Sequence, residues 1–279
     1  MMQFKRYKDP LCSLGVGISK SLCQWYEEHL EQKNQNNFFN TLQVKVINID
    51  SDKLKGDEIS FFENLFSESL IKHEDTFDKK FLEVFNSLLN HIPVFLVKEK
   101  TFHEYTKDSK ELKEPVFEIF GYYTRLGTSF EIPAIFICYN KIVDHVNKKK
   151  LDLKHIFSMV LIHEFAHALM DCDINTDHQK SEYYQWMEES LANCITLFIA
   201  ENSKNKDFFG DTKDFIKTQP DNYKVSIPLF EEKEAKEICD DCLNWWDEKD
   251  KNKKPDIKEQ KAKLETLKAK LKEYEKNNP

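Results

Sequence analysis

The sequence predicts an α+β protein: a small mixed sheet with helices in the first half, a mainly helical second half, and a metal site in the cleft between them. Three observations carry this. Runs with strand character, at 42–50, 92–97, 116–123 and 130–139, all begin before residue 140. Helical spacing of apolar residues dominates afterwards. Residues 161–170 combine an almost wholly apolar helix with the pattern H-E-x-x-H. The boundaries that follow are one domain over 1–248, divided into a mixed half (1–150) and a helical half with the metal site (151–248), and then a charged terminal helix over 249–279.

Composition narrows the function. A chain of 279 residues with 22 Phe can bury a large core. Its net charge of −8 and pI near 5.7 offer no electrostatic footprint for nucleic acid, and no basic face for a membrane. Residues 1–10 lack the apolar run of a signal peptide and no later stretch has the length of a membrane span, so a cytoplasmic location is expected. Seven cysteines, an odd number without framework spacing, fit a reducing compartment. Cys239 and Cys242 form a C-x-x-C pair with neither a second pair nor a preceding strand, and read as ordinary helix cysteines.

Along the chain, residues 12–31 place Leu14, Ile18, Leu22, Trp25 and Leu30 at helical spacing. The strand at 42–50 is followed by helices marked by Ile59, Phe62, Leu65 and Phe66 and by Phe77, Phe81, Val84 and Leu88. After the strand at 92–97, the charged span 99–115 reads as a loop with a short helix. The strands at 116–123 and 130–139 flank Gly127 and suggest a hairpin. Pro133 cannot donate to a ladder, which argues that the second of them is an edge strand, at least at its beginning. Asp152 suits the cap of the H-E-x-x-H helix, and Ser181 that of the next, running to about Ala200. Residues 202–222 read as polar and turn-rich, and 231–247 as a helix with Trp245 and Trp246. In the terminal helix Ile257, Gln260, Leu264, Leu267, Leu271 and Tyr274 alternate at heptad spacing. Fewer than three heptads make either a docked or solvated terminal helix or a weak surface for self-association through 255–279.

The chemistry gathers at His163, Glu164 and His167. A four-residue step on a helix sets both imidazoles on one face, one turn apart, and two neutral imidazoles suit Zn²⁺. Glu164, one step round, is placed to take a proton from an attacking water. Ile156, Phe157, Val160, Leu161, Ile162, Phe165, Ala166, Leu169 and Met170 cover most of the rest of this helix, so it is buried nearly all round. Two histidines and a carboxylate there are costly to bury without partners, and a metal supplies them.

A third ligand is available on the following helix. Glu188 shares a stripe with Tyr184, Leu191 and Ile195, whereas Glu189 shares one with Gln185, Asn193 and Thr196. Glu189, on the polar stripe, is the better ligand, and Asn193 can support a histidine or Glu189 itself from behind.

With Glu189 lying 22 residues after His167 and opening E-x-x-A-N, the chain resembles the gluzincin class of zinc metallopeptidases. The resemblance covers about 70 residues, from 131 to 200. It implies a zincin-like fold, His163, His167 and Glu189 as zinc ligands, and Glu164 as general base. Many gluzincins carry Asp where this chain has Asn193. The E-x-x-A-N form is closer to the ImmA/IrrE-like peptidases, whose active helix follows a strand ending in Asn, here residues 135–140.

The expected activity is zinc-dependent hydrolysis of a peptide bond in a peptide or protein substrate. Two alternatives stand beside it: a non-catalytic zinc-fold binding module, and an amidase or deacylase of a small substrate. Tyr183, Tyr184, His178 and Tyr223 are all candidates to stabilise an oxyanion, and spacing does not choose among them.

Overall fold

The computed structural model describes residues 46–48, 57–69, 89, 92–98, 120–124, 134–170, 182–233, 237–238, 241 and 257–278. The helices expected over 12–31 and 77–88, the segment 99–115, Gly127, Ser181, the Cys239/Cys242 pair and Trp245–Trp246 lie outside them.

Among the described residues the sheet is mixed and four-stranded: β1 (Val46–Asn48), β2 (Val94–Val97), β3 (Gly121–Thr124) and β4 (Ala134–Cys138), in the order β1-β2-β4-β3. Helix α1 (Asp57–Ser69) follows β1 in the chain. β1 and β4 both run parallel to β2, with Val46 opposite Val94 and Val94 opposite Ile135. β3 is antiparallel to β4, Gly121 facing Ile137.

Over its described residues, Ala134–Cys138, the strand expected at 130–139 is not an edge: β4 is an inner strand, paired on both sides, while 130–133 lie outside the described residues. Pro133 falls just before the first strand residue, so its missing N–H interrupts no described ladder bond. The continuous apolar run from Ala134 to Cys138, buried at every position, is the stronger signal, because an inner strand covered on both faces needs no polar alternation. Asn140 does not end a strand either. It is exposed in the first turn of α2 (Tyr139–Lys149).

Helix α3 (Leu153–Met170) carries the H-E-x-x-H pattern. Asp152 caps it as expected, accepting the Lys154 amide at 2.8 Å. From His155 to Met170 every residue is buried except His163 and His167. The apolar surround of this helix comes from α1, through Phe62 stacked on Phe165, from the sheet, and from α4 (Glu182–Glu201).

The region 202–222 is not a loop. It contains α5 (Lys206–Lys217) and the short α6 (Asp221–Lys224). Asn205 caps α5 by accepting the amides of Asp207 and Phe208, which turns its side-chain NH₂ toward His155 Nε2 at 2.9 Å. His155 Nδ1 meets Asp211 at 2.5 Å. One buried imidazole thus joins the start of α3 to both the cap and the second turn of α5. A short helix not expected from the sequence, α7 (Ser226–Glu232), comes next and ends at Lys233, whose backbone is extended; within the helix expected over 231–247 the described Glu237, Ile238 and Asp241 are helical. Pro228 lies in the first turn of α7, where a missing N–H costs nothing.

The terminal helix α8 (Ile257–Asn277) is docked. Gln260, Leu264, Leu267 and Leu271 are buried, and the three leucines belong to the same core cluster as the sheet and α3. Lys268 bonds Glu182 at 2.9 Å and lies over the Trp186 ring, so the polar flank of the stripe also faces α4. The heptad-spaced leucines are therefore spent within the chain. Among the described residues no helix is long and apolar enough to cross a membrane.

Leu267→Ala is expected to lower the free energy of unfolding by about 2–5 kcal/mol in urea titrations, the cost of a cavity in a packed core. A loss below about 0.5 kcal/mol, the value for a surface site, contradicts docking of α8.

Candidate metal centre

Helices α3 and α4 bring three ligand atoms to one point. His163 Nε2 and His167 Nε2 are 3.0 Å apart, and Glu189 Oε2 lies 3.1 Å from the first and 3.2 Å from the second. Tetrahedral zinc with bonds of 2.0–2.1 Å sets its ligand atoms about 3.3 Å apart, so the donor set fits such an ion both in chemistry and in spacing. No other cluster of three metal-ligating side chains occurs among the described residues.

The outer nitrogens are held as well. His163 Nδ1 lies 2.9 Å from Asn193 Oδ1 and donates its proton there; the neutral ring then offers its Nε2 lone pair to a metal, whereas in the charged ring Nε2–H faces Glu189. Asn193 in turn donates to the Tyr223 carbonyl at 3.5 Å. Glu188 turns inward, and its Oε1 comes within 3.9 Å of His167 Nδ1. The two adjacent glutamates thus divide as their stripes predict: Glu189 faces the convergence point and Glu188 stands behind a histidine.

The carboxylates have opposed electrostatics. Burial opposes the charge on Glu189, but the charge of His167, hydrogen bonds from both imidazoles and the charge of His163 outweigh it, and its pKa is held well below the usual carboxylate range. Burial raises Glu164 to about 8, with Glu189 adding to the rise, against the pull of His163 and a hydrogen bond from the Tyr123 amide.

That last bond follows from the register of the sheet. Phe120 O accepts the Cys138 amide at 2.7 Å, which makes 120 and 138 a hydrogen-bonded pair. Residues 121 and 123 then direct their N–H and C=O groups to the outer edge of β3, where Glu164 receives one of them. Contact there is close enough to demand glycine: a Cβ on Gly121 meets Glu164 Oε1 at 2.6 Å, its Cγ at 2.8 Å and Val160 Cγ1 at 2.9 Å.

Beside the centre is a half-open pocket of about 80 Å³ that reaches His163, Glu164 and Asn193. It spans the two halves of the chain, with Phe120 and Gly121 on the sheet side and α3, α4, α5 and α6 on the other. Tyr223 lines it, its ring stacked on His163 with centroids 5.7 Å apart. Of the other oxyanion candidates, Tyr183 lies under Lys263 of α8 and beside Tyr184, and His178 is outside the described residues.

All five residues singled out by motif, His163, Glu164, His167, Glu189 and Asn193, meet at this site. Sequence reasoning missed Gly121, Glu188 and the pocket walls from α5. A signal for α5 was present, since Phe208, Thr212, Phe215 and Ile216 follow helical spacing behind a capping Asn205. For Gly121 there was none, because only the meeting of β3 with α3 crowds a side chain there against Glu164 and Val160.

Comparison of the chain with protein-family models, with curated proteins and with solved structures finds no match.

Gly121→Ala is expected to cost about 1–3 kcal/mol of stability through overpacking and to push the Glu164 carboxylate off the Tyr123 amide, leaving the three convergent atoms in place. Urea unfolding together with a crystal structure of the variant tests this; unchanged stability and an unmoved Glu164 contradict it.

Proposed function

We propose that this chain is a zinc-dependent metallopeptidase of gluzincin type, with His163, His167 and Glu189 as ligands and Glu164 as general base. The observation that carries the reading is the convergence of two imidazole nitrogens and a carboxylate oxygen within 3.2 Å beside a buried carboxylate lining the same pocket. Three protein ligands of the His₂Glu kind leave a coordination position open, as catalytic zinc sites do, whereas structural sites close all four.

Bound zinc supplies a Lewis acid for the scissile carbonyl and makes water more acidic. Glu164 takes the proton of the attacking water and delivers it to the departing amine. Its position is set by the Tyr123 amide and by the absence of a side chain at Gly121. Asn193 orients His163, and Glu188 polarises His167 from behind. Tyr223, on the pocket wall, is the hydroxyl assigned to the oxyanion.

A peptide is the substrate that the outer edge of β3 suits. Among the described residues no strand pairs with it. An extended chain laid there makes main-chain hydrogen bonds with little demand on sequence and brings its carbonyl beside Glu164. The edge strand that binds substrate is β3 in this reading.

Two experiments test the reading. Purified protein is expected to hold about one Zn²⁺ per chain by elemental analysis, and His163→Ala, His167→Ala or Glu189→Ala each to lose it. Glu188→Ala should keep the ion with roughly 10–100-fold weaker affinity, as for a partner behind a ligand; zinc lost with Glu188 and kept without Glu189 reverses their roles. Glu164→Gln should retain zinc and fold yet lose at least about a hundredfold in peptide turnover, and equal activity removes Glu164 from the mechanism.

A further inference from the structure

The stretch from Asn205 to Lys224 lies as a strap along one face of α3. His155, Met159 and His163 follow one another at four-residue steps and so share a stripe of that helix. The strap meets the stripe in order: Asn205, Phe208 and Asp211 at His155, Phe215 and Ile216 in the pocket with Met159, and Tyr223 at His163. Its far end is fixed by Asn193 and Ser190, which donate to the carbonyls of Tyr223 and Asn222 at 3.5 and 3.1 Å. Its near end is fixed by His155, an imidazole with no part in the chemistry assigned to the site.

The hydrogen bonds around His155 fit one protonation state. Asn205 Oδ1 is occupied by the amides of Asp207 and Phe208, at 3.1 and 3.3 Å, so its NH₂ points to the ring. His155 Nε2 therefore accepts, at 2.9 Å, and the single ring proton sits on Nδ1 and goes to Asp211 at 2.5 Å. Among the described residues Asp211 is the charged group within ion-pairing reach of the ring. Helix α1 faces the ring with Phe61 and α5 also with Phe208, while Asp152 and Lys154, beside it in the chain, are exposed and half-buried. A second proton is favoured by Asp211 and leaves that bond intact, but it sets an N–H of the ring against the Asn205 NH₂. Either the ring leaves Asn205, or the amide turns over and abandons both cap amides of α5.

We infer that neutral His155 is the positioning residue that holds the α5–α6 strap on the candidate site, and that a second proton on its ring loosens the strap. The closed strap binds one proton fewer than the loosened one, so by linkage it is favoured as pH rises and released as pH falls. Phe215, Ile216 and Tyr223 move with it, which couples acidity to the covering of the site. The inference goes beyond the peptidase reading and stands without it.

The test reads amide hydrogen exchange over residues 206–224 of the full chain as purified, as protection factors corrected for intrinsic rates, at about pH 8 and about pH 5. Helix α2 serves as the internal reference. Wild-type protection over the strap is expected to fall about fivefold at the lower pH, the size of a lost helix cap. In His155→Gln the amide donates to Asp211 and accepts from Asn205 as the neutral ring does, yet takes up no proton, so the pH dependence should vanish. Asn205→Asp still caps α5 and offers its second oxygen to the charged ring, so the trend should reverse. Wild-type protection that does not fall, a fall confined to the first turn of α5, or a fall of wild-type size in either variant overturns the inference. Neither zinc content nor turnover enters the measurement, so a failure of the peptidase reading is seen separately.

Discussion

Enclosing two imidazoles and three carboxylates between apolar helices is the constraint on which this structure depends. Each of these groups is expensive to remove from water unless it is paired. The cost is met by convergence: Glu189 faces both Nε2 atoms, Asn193 accepts from one Nδ1, and Glu188 stands near the other. The helix surface reflects the same logic. Over sixteen residues of α3 only the two histidines are not buried, so the polar opening along this helix is the site itself.

Position relative to the imidazoles separates the glutamates. Glu189 lies between them and is held ionised, while Glu164 sits against β3 with its pKa raised by burial. Carboxylates driven apart in this way are suited to different tasks, one to bind a cation and the other to move a proton. The arrangement depends on a strand edge meeting a helix without an intervening side chain, so Gly121 belongs to the site as much as to the sheet.

The framework that carries these groups extends well beyond α3 and α4. His155 ties the start of α3 to α5, which supplies Phe215 and Ile216 to the pocket. Tyr223 is held through its carbonyl by Asn193 and Ser226 and lays its ring on His163. On the far side of α4, the leucines of α8 close the core. The exposed ion pairs around them add little, since pairs in water are worth at most about 1 kcal/mol each.

Local pattern in the sequence determined the mixed α+β class, the strands β2 and β4, the capped helix α3, and the grouping of His163, Glu164, His167, Glu189 and Asn193. These are properties of spacing: a four-residue step or a polar stripe on a helix has the same meaning wherever the helix lies. Strand order and inter-element fit escaped it. Pro133 pointed to an edge, but burial on both faces put β4 in the middle and left β3 at the margin, because the neighbours of a strand are chosen by what covers its faces. The helix at 206–217 was passed over although its stripe was legible, since only a few apolar residues stand among many polar ones. Neither Gly121 nor the heptad stripe of α8 announced its role. A close approach or a docked face is a property of two elements together, and only the tertiary structure decided which two meet.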